Sequence, residues 1–358
     1  MCTRPITVFV RGSKSVGSEP HSYLVPCGKC CECKKRYQND WKIRIFEQIK
    51  DSGNGVFVTL TYAPENVPLL VDTETGECNK TVYKKHCQDW IKRMRIGLER
   101  SGKYDREKFS YFLTSEYGPR TFRPHYHCII MGVSYMDIKP YLDDWKNRFG
   151  YFSCDPRGIN KAAGSAAYVA KYCSKGVFEC PLVAQGKVLP TFHLMSKGIG
   201  EGYIRRMRAF HLTAPFMSNG FVKRQNWYYS KRYLEYVADN LCYRNPAFQI
   251  RGETIRYALP KYYKTKIFGR QIIVKNLRNG KPKKALCKTA LQAQLSDFLF
   301  KRNVEVRDSQ CREIQRQFGY KSYGEALAHQ EKDEAWLLER REKDARESLE
   351  RFYNKSKL

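Results

Sequence analysis

The sequence predicts an α+β fold: a central antiparallel β-sheet flanked by helices, with a cysteine-rich module before it and a mostly helical extension after it. Three observations predict this. Runs of β-branched, aromatic and other apolar residues at 56–62, 109–117 and 124–131 read as strands. Amphipathic helical patterns at 84–98, 137–149 and 160–174 are interleaved with them. The link from Gly118 to Pro124 is short enough to leave the flanking strands side by side and antiparallel. Strand, helix, strand, strand, helix, strand, helix is the order of one sheet backed by helices.

A chain of 358 residues can bury a sizeable core and a second small one. The expected divisions are 1–50, a cysteine-rich module and basic helix; 51–178, the sheet domain; and 179–358, an extension whose role the sequence does not state. Lys and Arg number 65 against 36 Asp and Glu, an excess of 29 positive charges. So large an excess points to a polyanion, most simply nucleic acid. The 25 Tyr and 19 Phe, interleaved with basic residues, suit single strands, whose exposed bases stack on rings. No apolar run approaches the roughly 20 residues that span a bilayer, so no membrane partner is expected. No secretory signal is read at the N-terminus, which places the protein in a reducing cytoplasm. There, 14 cysteines are expected to ligate metal or pack in the interior rather than form a disulfide framework.

In order along the chain, Pro26-Cys27-Gly28-Lys29-Cys30-Cys31-Glu32-Cys33 has the thiolate spacing of a zinc knuckle. Cys27, Cys30 and Cys33 are the candidate ligands of a structural Zn²⁺, and Cys2 or His21 the candidate fourth; three buried, metal-free thiols are the plainer alternative. Lys34 to Lys50 reads as a helix, with Tyr37, Trp41, Ile45 and Ile49 on one stripe and basic residues around it. The strand 56–62 carries Phe57, Thr59 and Thr61 on one face and Val58, Leu60 and Tyr62 on the other. Thr59 and Thr61 are candidate DNA contacts, or simply good strand formers. Residues 69–82 read as a hairpin around Thr73–Gly76.

The helix 84–98 places Cys87, Trp90, Ile91, Met94 and Leu98 at core spacing. After the strand 109–117 comes Arg123-Pro124-His125-Tyr126-His127, in which the two histidines share a face while Tyr126 points away. Glu116, at the end of the preceding strand, can reach both imidazoles across the short connection. The helix 137–149 and the short strand 151–154 follow, and then the helix 160–174. Beyond it, Met195–Gly200 reads as a glycine-containing loop with no nucleotide-binding role, 227–241 as helical, 249–257 as a hairpin and 276–284 as a basic loop. Residues 289–318 and 322–355 read as helices, the second densely charged.

The chemistry follows from two of these stretches. On a helix, Tyr168, Lys171 and Tyr172 stand together and Lys175 lies a turn beyond. Two phenols with an ammonium between them suit phosphoryl transfer onto tyrosine. A phenol with a pKa of about 10 needs a neighbouring cation to favour the phenolate, and Lys171 supplies one. His125, His127 and Glu116, with open coordination positions, suit Mg²⁺ or Mn²⁺ better than a closed structural zinc.

His125-Tyr126-His127 with its apolar flanks resembles the HxH motif of the HUH endonucleases. Phe57 to Tyr62 is similar to their first motif, and Tyr168-Val169-Ala170-Lys171-Tyr172 to their YxxK motif with a second tyrosine. The two-tyrosine form resembles the replication initiators of microviruses, those of the gokushovirus type most of all. Cys2, Pro26 to Cys30 and Ser196 to Gly200 share in that likeness, which is concentrated in residues 1–176. Arg123-Pro124 before the histidines and the extra Cys31 are particular to this chain.

The resemblance implies a ferredoxin/RRM-like catalytic domain that nicks single-stranded DNA at a phage replication origin and starts rolling-circle replication. It implies Tyr168 and Tyr172 as alternating nucleophiles forming a 5′-phosphotyrosyl link, Lys171 as their aid, and His125 and His127 as metal ligands. Arg123 and Lys175 are further candidate DNA contacts, the host replication machinery is the expected partner, and the bacterial host cytoplasm the expected location. Two other readings compete: a single-tyrosine HUH transposase or relaxase, in which Tyr172 is dispensable, and a non-catalytic zinc-containing nucleic-acid-binding protein.

Overall fold

The structure, a computed structural model, describes residues 6–10, 21–28, 30–103, 105, 108–118, 121–159, 180–212, 222, 224–225, 228–239, 242–250, 253–275, 282–288, 290–322 and most of 324–347. The chain forms two compact units. Met1–Arg36, Ala214–Leu241 and Phe268–Leu358 make the first; Tyr37–Thr213 and Cys242–Ile267 make the second.

The N-terminal hairpin pairs β1 (Ile6–Val10) with β2 (His21–Val25), and helix α1 (Cys31–Ser52) follows. The second unit then lays down β3 (Gly55–Tyr62), the small hairpin β4 (Leu69–Val71) and β5 (Cys78–Lys80), and helix α2 (Lys84–Arg100). Next come β6 (Ser110–Tyr117), β7 (Pro124–Met131), α3 (Tyr135–Arg148) and β8 (Gly150–Cys154). After the one-turn helix α4 (Pro181–Ala184), β9 (His193–Met195) and α5 (Glu201–Leu212) complete this stretch.

The five-stranded sheet has the order β8-β3-β7-β6-β9, and its paired strands are all antiparallel. This is the α+β architecture that the strand and helix pattern predicts. One face is wholly apolar in its packing. Val58, Leu60, Tyr62, Leu113, Tyr126, Cys128 and Ile130 meet Trp90, Met94, Leu142 and Trp145 from α2 and α3. The polar atoms taken into this core find partners, as buried groups must. The Tyr126 hydroxyl accepts the Tyr83 N–H at 2.8 Å and lies 2.9 Å from the Tyr62 hydroxyl. Trp90 Nε1 donates to the Tyr141 carbonyl at 2.8 Å, and Trp145 Nε1 to that of Thr61 at 3.2 Å.

Local signals set the boundaries. Ser134 and Asp137 form a reciprocal capping box at the start of α3. Gly132, at φ +83°, turns the chain out of β7 where a Cβ would meet the Lys108 carbonyl at 2.5 Å. The opposite face of the sheet is covered at one end by α1, where Trp41 lies 4.7 Å from Phe112 between ring centroids. Its other end carries polar side chains.

Elements past residue 190 depart from the sequence reading. The 195–200 loop is flanked by β9 and by α5, which sequence periodicity does not reveal because its exposed arginines interrupt any apolar stripe. Tertiary contacts hold it: Arg206 pairs with the buried Glu47 at 2.7 Å and with Asp51 at 2.8 Å. In the first unit, the helix expected at 227–241 is shorter, α6 (Lys231–Asp239), and follows the hairpin of β10 (Arg224–Gln225) and β11 (Tyr228–Tyr229). The expected hairpin near 249–257 is β12 (Cys242–Ile250) with β13 (Glu253–Ala258), followed by helix α7 (Lys261–Phe268). Part of the basic 276–284 segment is strand, because β14 (Gly269–Lys275) pairs with β15 (Pro282–Lys288). Helix α8 (Ala290–Phe318) matches the periodicity, and the described residues between 324 and 347 are helical.

Candidate metal centre on the sheet

Strand register builds the site. Glu116 of β6 lies opposite His125 of β7, and His125 opposite Thr61 of β3, which faces Tyr151 of β8. The next row on the same face runs Ser153, Thr59, His127, Thr114, His193. Directly paired residues project to one side of an antiparallel sheet, so all of these belong to the face opposite the α2–α3 core.

A carboxylate and two imidazoles meet there. Glu116 Oε2 lies 3.2 Å from His127 Nε2 and 3.5 Å from His125 Nε2. One ligand atom from each of the three residues can be chosen so that all lie within 4.8 Å of one another. The other ring nitrogens have partners that orient the rings. His125 Nδ1 is 3.2 Å from the Arg123 carbonyl, to which it donates. His127 Nδ1 is 3.1 Å from the Thr59 hydroxyl. With Nδ1–H donating in both rings, both Nε2 lone pairs point toward the carboxylate. Three acceptor atoms then converge, an arrangement that a cation stabilises. Phe57 backs His127, its ring parallel at 5.9 Å between centroids.

The connection between β6 and β7 holds the mouth of this cluster. The Arg123 carbonyl also accepts the Gly118 N–H at 3.0 Å, and the Arg123 guanidinium donates to the Tyr62 carbonyl. Arg123, expected as a DNA contact, thus also ties the loop to β3. Thr59 faces His127 through its hydroxyl, a contact that the sequence does not specify. Tyr168, Lys171, Tyr172 and Lys175 lie outside the described residues, as does Cys2. Cys27, Cys30 and Cys33 form a second metal-capable cluster, their sulfurs within 4.8 Å of one another.

Two residues on the site face escape sequence reasoning. Tyr151 is 55% exposed, in the same row as Thr61, His125 and Glu116. Its alternation on the predicted strand 151–154 is legible, but its pairing partner is not. His193 sits beyond Thr114 on a three-residue strand too short to be read from sequence. Burial lowers its pKa and favours the neutral ring.

The profile of a family of replication-associated proteins, described by its ORF2 member, matches residues 55–177. The replication-associated protein ORF2 of Spiroplasma virus 4 is 30% identical over 194 residues, half of this chain and 56% of that protein. The chain is a relative of phage replication-associated proteins. Replication-associated protein VP4 of Bdellovibrio phage phiMH2K aligns at 26% identity over 66% of the chain and 81% of its own length. Replication-associated protein ORF4 of Chlamydia phage 1 aligns at 26% over 56% of the chain and 51% of its own length. The chain therefore spans little more than half of two of these three phage replication-associated proteins. No solved structure matches significantly. The matched span takes in β3, β6, β7 and β8, and with them Glu116, His125 and His127. Among the described residues of this relative of phage replication-associated proteins, no helix is long and apolar enough to cross a membrane.

Proposed function

We propose that this chain is an HUH-type rolling-circle replication initiator. It nicks single-stranded DNA at a phage origin by tyrosine attack and later rejoins the strand. The observation that carries this reading is the convergence of Glu116 Oε2 on the Nε2 atoms of His125 and His127, 3.5 and 3.2 Å away, on one face of a rigid sheet.

The donor set fits Mn²⁺ or Mg²⁺, with His125, His127 and Glu116 as ligands. A bound ion of this kind supplies Lewis acidity toward a non-bridging phosphate oxygen. Arg123 O and Thr59 Oγ1 hold the two imidazoles in the ligating tautomer. Tyr151 offers an exposed ring on the same row, on which a base of the bound strand stacks. Thr61 and Arg123 border the strand's path, and Lys175 adds a phosphate contact.

Tyr168 and Tyr172 act as the nucleophiles. The phenolic oxygen of one forms a bond to phosphorus, the bond from phosphorus to the 3′-oxygen breaks, and the phenol's proton ends on the released 3′-hydroxyl. The phosphodiester energy is kept in the phosphotyrosyl link, so a 3′-hydroxyl can attack it and regenerate both the DNA and the tyrosine. Lys171 stabilises the phenolate and the charge developing on the phosphoryl oxygens. Two tyrosines permit one to hold a 5′ end while the other cuts the regenerated origin. The work takes place in the bacterial cytoplasm beside the host replication machinery.

The test is a denaturing gel of protein incubated with origin-bearing single-stranded DNA and Mn²⁺. A metal-dependent covalent adduct that persists in Tyr168→Phe and in Tyr172→Phe but is lost in the double variant is the expected result. Loss in Tyr168→Phe alone identifies a single-nucleophile enzyme. Binding without any adduct, across single-stranded phage DNA, removes catalysis from the reading.

A further inference from the structure

We propose that the N-terminal segment of this chain binds one structural Zn²⁺ through four thiolates, those of Cys2, Cys27, Cys30 and Cys33. The site is independent of the His–Glu cluster on the sheet and of the nicking reaction.

Three of the ligands are already gathered. The sulfurs of Cys27, Cys30 and Cys33 lie within 4.8 Å of one another. Tetrahedral Zn–S bonds of about 2.3 Å place sulfurs about 3.8 Å apart, so at most about 1 Å of contraction closes the set. The backbone has the form of a metal knuckle. Gly28 adopts φ +75°, with open space where a Cβ would stand, and turns the chain back on Cys27. The Cys30 N–H then donates to Cys27 Sγ at 3.3 Å, a hydrogen bond that favours the thiolate. The Cys30 carbonyl accepts the Lys34 N–H at 3.0 Å as α1 begins. Cys30 and Cys33 therefore sit at the helix N-terminus, where the partial positive charge lowers thiol pKa values. Both are only 8% exposed.

The hairpin register chooses the fourth ligand. Ile6 pairs with Val25, and Val10 with His21. Cys27 follows Val25 by two residues, so the chain preceding Ile6 departs from the end of the hairpin at which the thiol cluster begins. Cys2 is four residues before Ile6, within a reach of at most about 14 Å. His21 lies four residues along β2 from Val25, about 14 Å toward the other end of the hairpin and beyond the span of an imidazole. The candidates left open by sequence spacing are thus separated by strand pairing. Binding releases the thiol protons, and the negative charge of a tetrathiolate site is offset by the N-terminus of α1 and by Lys34 and Lys35 beside it.

The experiment measures metal in the full chain purified from zinc-supplemented cells, in a His125→Ala/His127→Ala background that disables the sheet cluster. About one zinc per chain is expected, released by a mercurial thiol reagent and reported by a colorimetric chelator. Co²⁺ exchanged into the same protein is expected to show intense sulfur-to-metal charge-transfer bands. Cys2→Ser is expected to weaken those bands by about a quarter as one of four thiolates is lost, while His21→Asn leaves them unchanged. Thiol-insensitive zinc, or a Co²⁺ spectrum without sulfur bands, overturns the site. Weaker bands in His21→Asn with none lost in Cys2→Ser overturn the ligand set. Both readouts need no variant of the three clustered cysteines and no DNA. Failure here leaves the nicking reading standing, and failure of the adduct assay leaves this one standing.

Discussion

The two faces of the five-stranded sheet are built from the same strands by alternate residues, yet they do opposite work. On β7, Tyr126 and Cys128 are fully buried in the α2–α3 core, while His125 and His127 turn to the other side and meet Glu116. On β3, Tyr62 and Leu60 enter the core, and Thr59 and Thr61 stand in the rows of the histidines. The packed face satisfies every tyrosine hydroxyl named above through hydrogen bonds. The site face leaves ligand atoms converging on one point. Rigidity is supplied by one face and used by the other, because moving a strand to relax the core shifts the ligands across the sheet.

The widest separation between the faces is expected from Trp145→Ala and His125→Ala. Trp145 is fully buried against Tyr62, Tyr126 and Trp90, and its removal is expected to cost about 3–5 kcal/mol of stability. His125 is half-buried at the open end of the sheet. Its truncation is expected to leave the urea midpoint within the small range of surface variants and to reduce adduct formation at least about 100-fold. Urea titration and the adduct assay on both proteins check this. A His125→Ala protein that unfolds like Trp145→Ala makes the cluster a structural one.

Much of this contrast was legible in the sequence. The period-2 alternation of Thr59, Leu60, Thr61 and Tyr62, and of His125 and Tyr126, assigns the faces without any coordinates. The short link from Gly118 to Pro124 makes Glu116 and His125 neighbours. What could not be read were pairings between strands distant in the chain. Tyr151 joins the site row only because β8 pairs with β3, and His193 only because a three-residue strand adds to β6. Thr59 orients His127 through a register that its own sequence neighbourhood does not encode. Likewise α5 forms where exposed arginines mask its periodicity and Glu47, Gln48 and Asp51 of α1 hold it from outside.

A smaller effect separates orientation from ligation. Thr59→Val keeps the shape and strand propensity of the side chain and removes the hydroxyl at His127 Nδ1. Losing such a supporting hydrogen bond is expected to weaken Mn²⁺ binding by about 10–100-fold with little change in stability. Isothermal titration with Mn²⁺ reads it. An unchanged affinity makes Thr59 a strand residue only and frees its hydroxyl for a DNA contact.

Two tyrosines sharpen the comparison at about the same scale on different axes. Tyr126→Phe removes a hydroxyl from the packed face and strands the Tyr83 N–H, at an expected cost of about 1–3 kcal/mol in stability. Tyr151→Ala removes an exposed ring from the site face and is expected to weaken single-stranded DNA binding by about 1–3 kcal/mol while stability holds. Fluorescence anisotropy with a labelled oligonucleotide and a urea titration on each variant separate the two. If Tyr151→Ala binds as the parent does, the stacking surface lies elsewhere.

The smallest effect is expected in pH dependence, and it is shared by the faces. Burial lowers the pKa of His193 on the site face. It also lowers that of His86 beside the core, where Arg93 adds to the effect and Asp89 opposes it. His86 stacks on Phe149 at 4.3 Å and meets the Tyr62 hydroxyl at 3.1 Å, an environment suited to a neutral ring. In the unfolded chain both imidazoles take up a proton as pH falls through about 6.5, while the folded chain resists until the lower folded values are reached. The unfolded state therefore binds more protons in that window, and stability falls as pH drops through it; above about 6.5 neither group contributes to the slope. Subtracting the stability profile of His86→Gln, and separately of His193→Gln, from that of the parent is expected to reveal a positive slope below about 6.5 in each case. A flat difference for His193 with a sloped one for His86 means that the site face admits enough water to solvate a charged ring, and the two faces then differ in hydration as well as in chemistry.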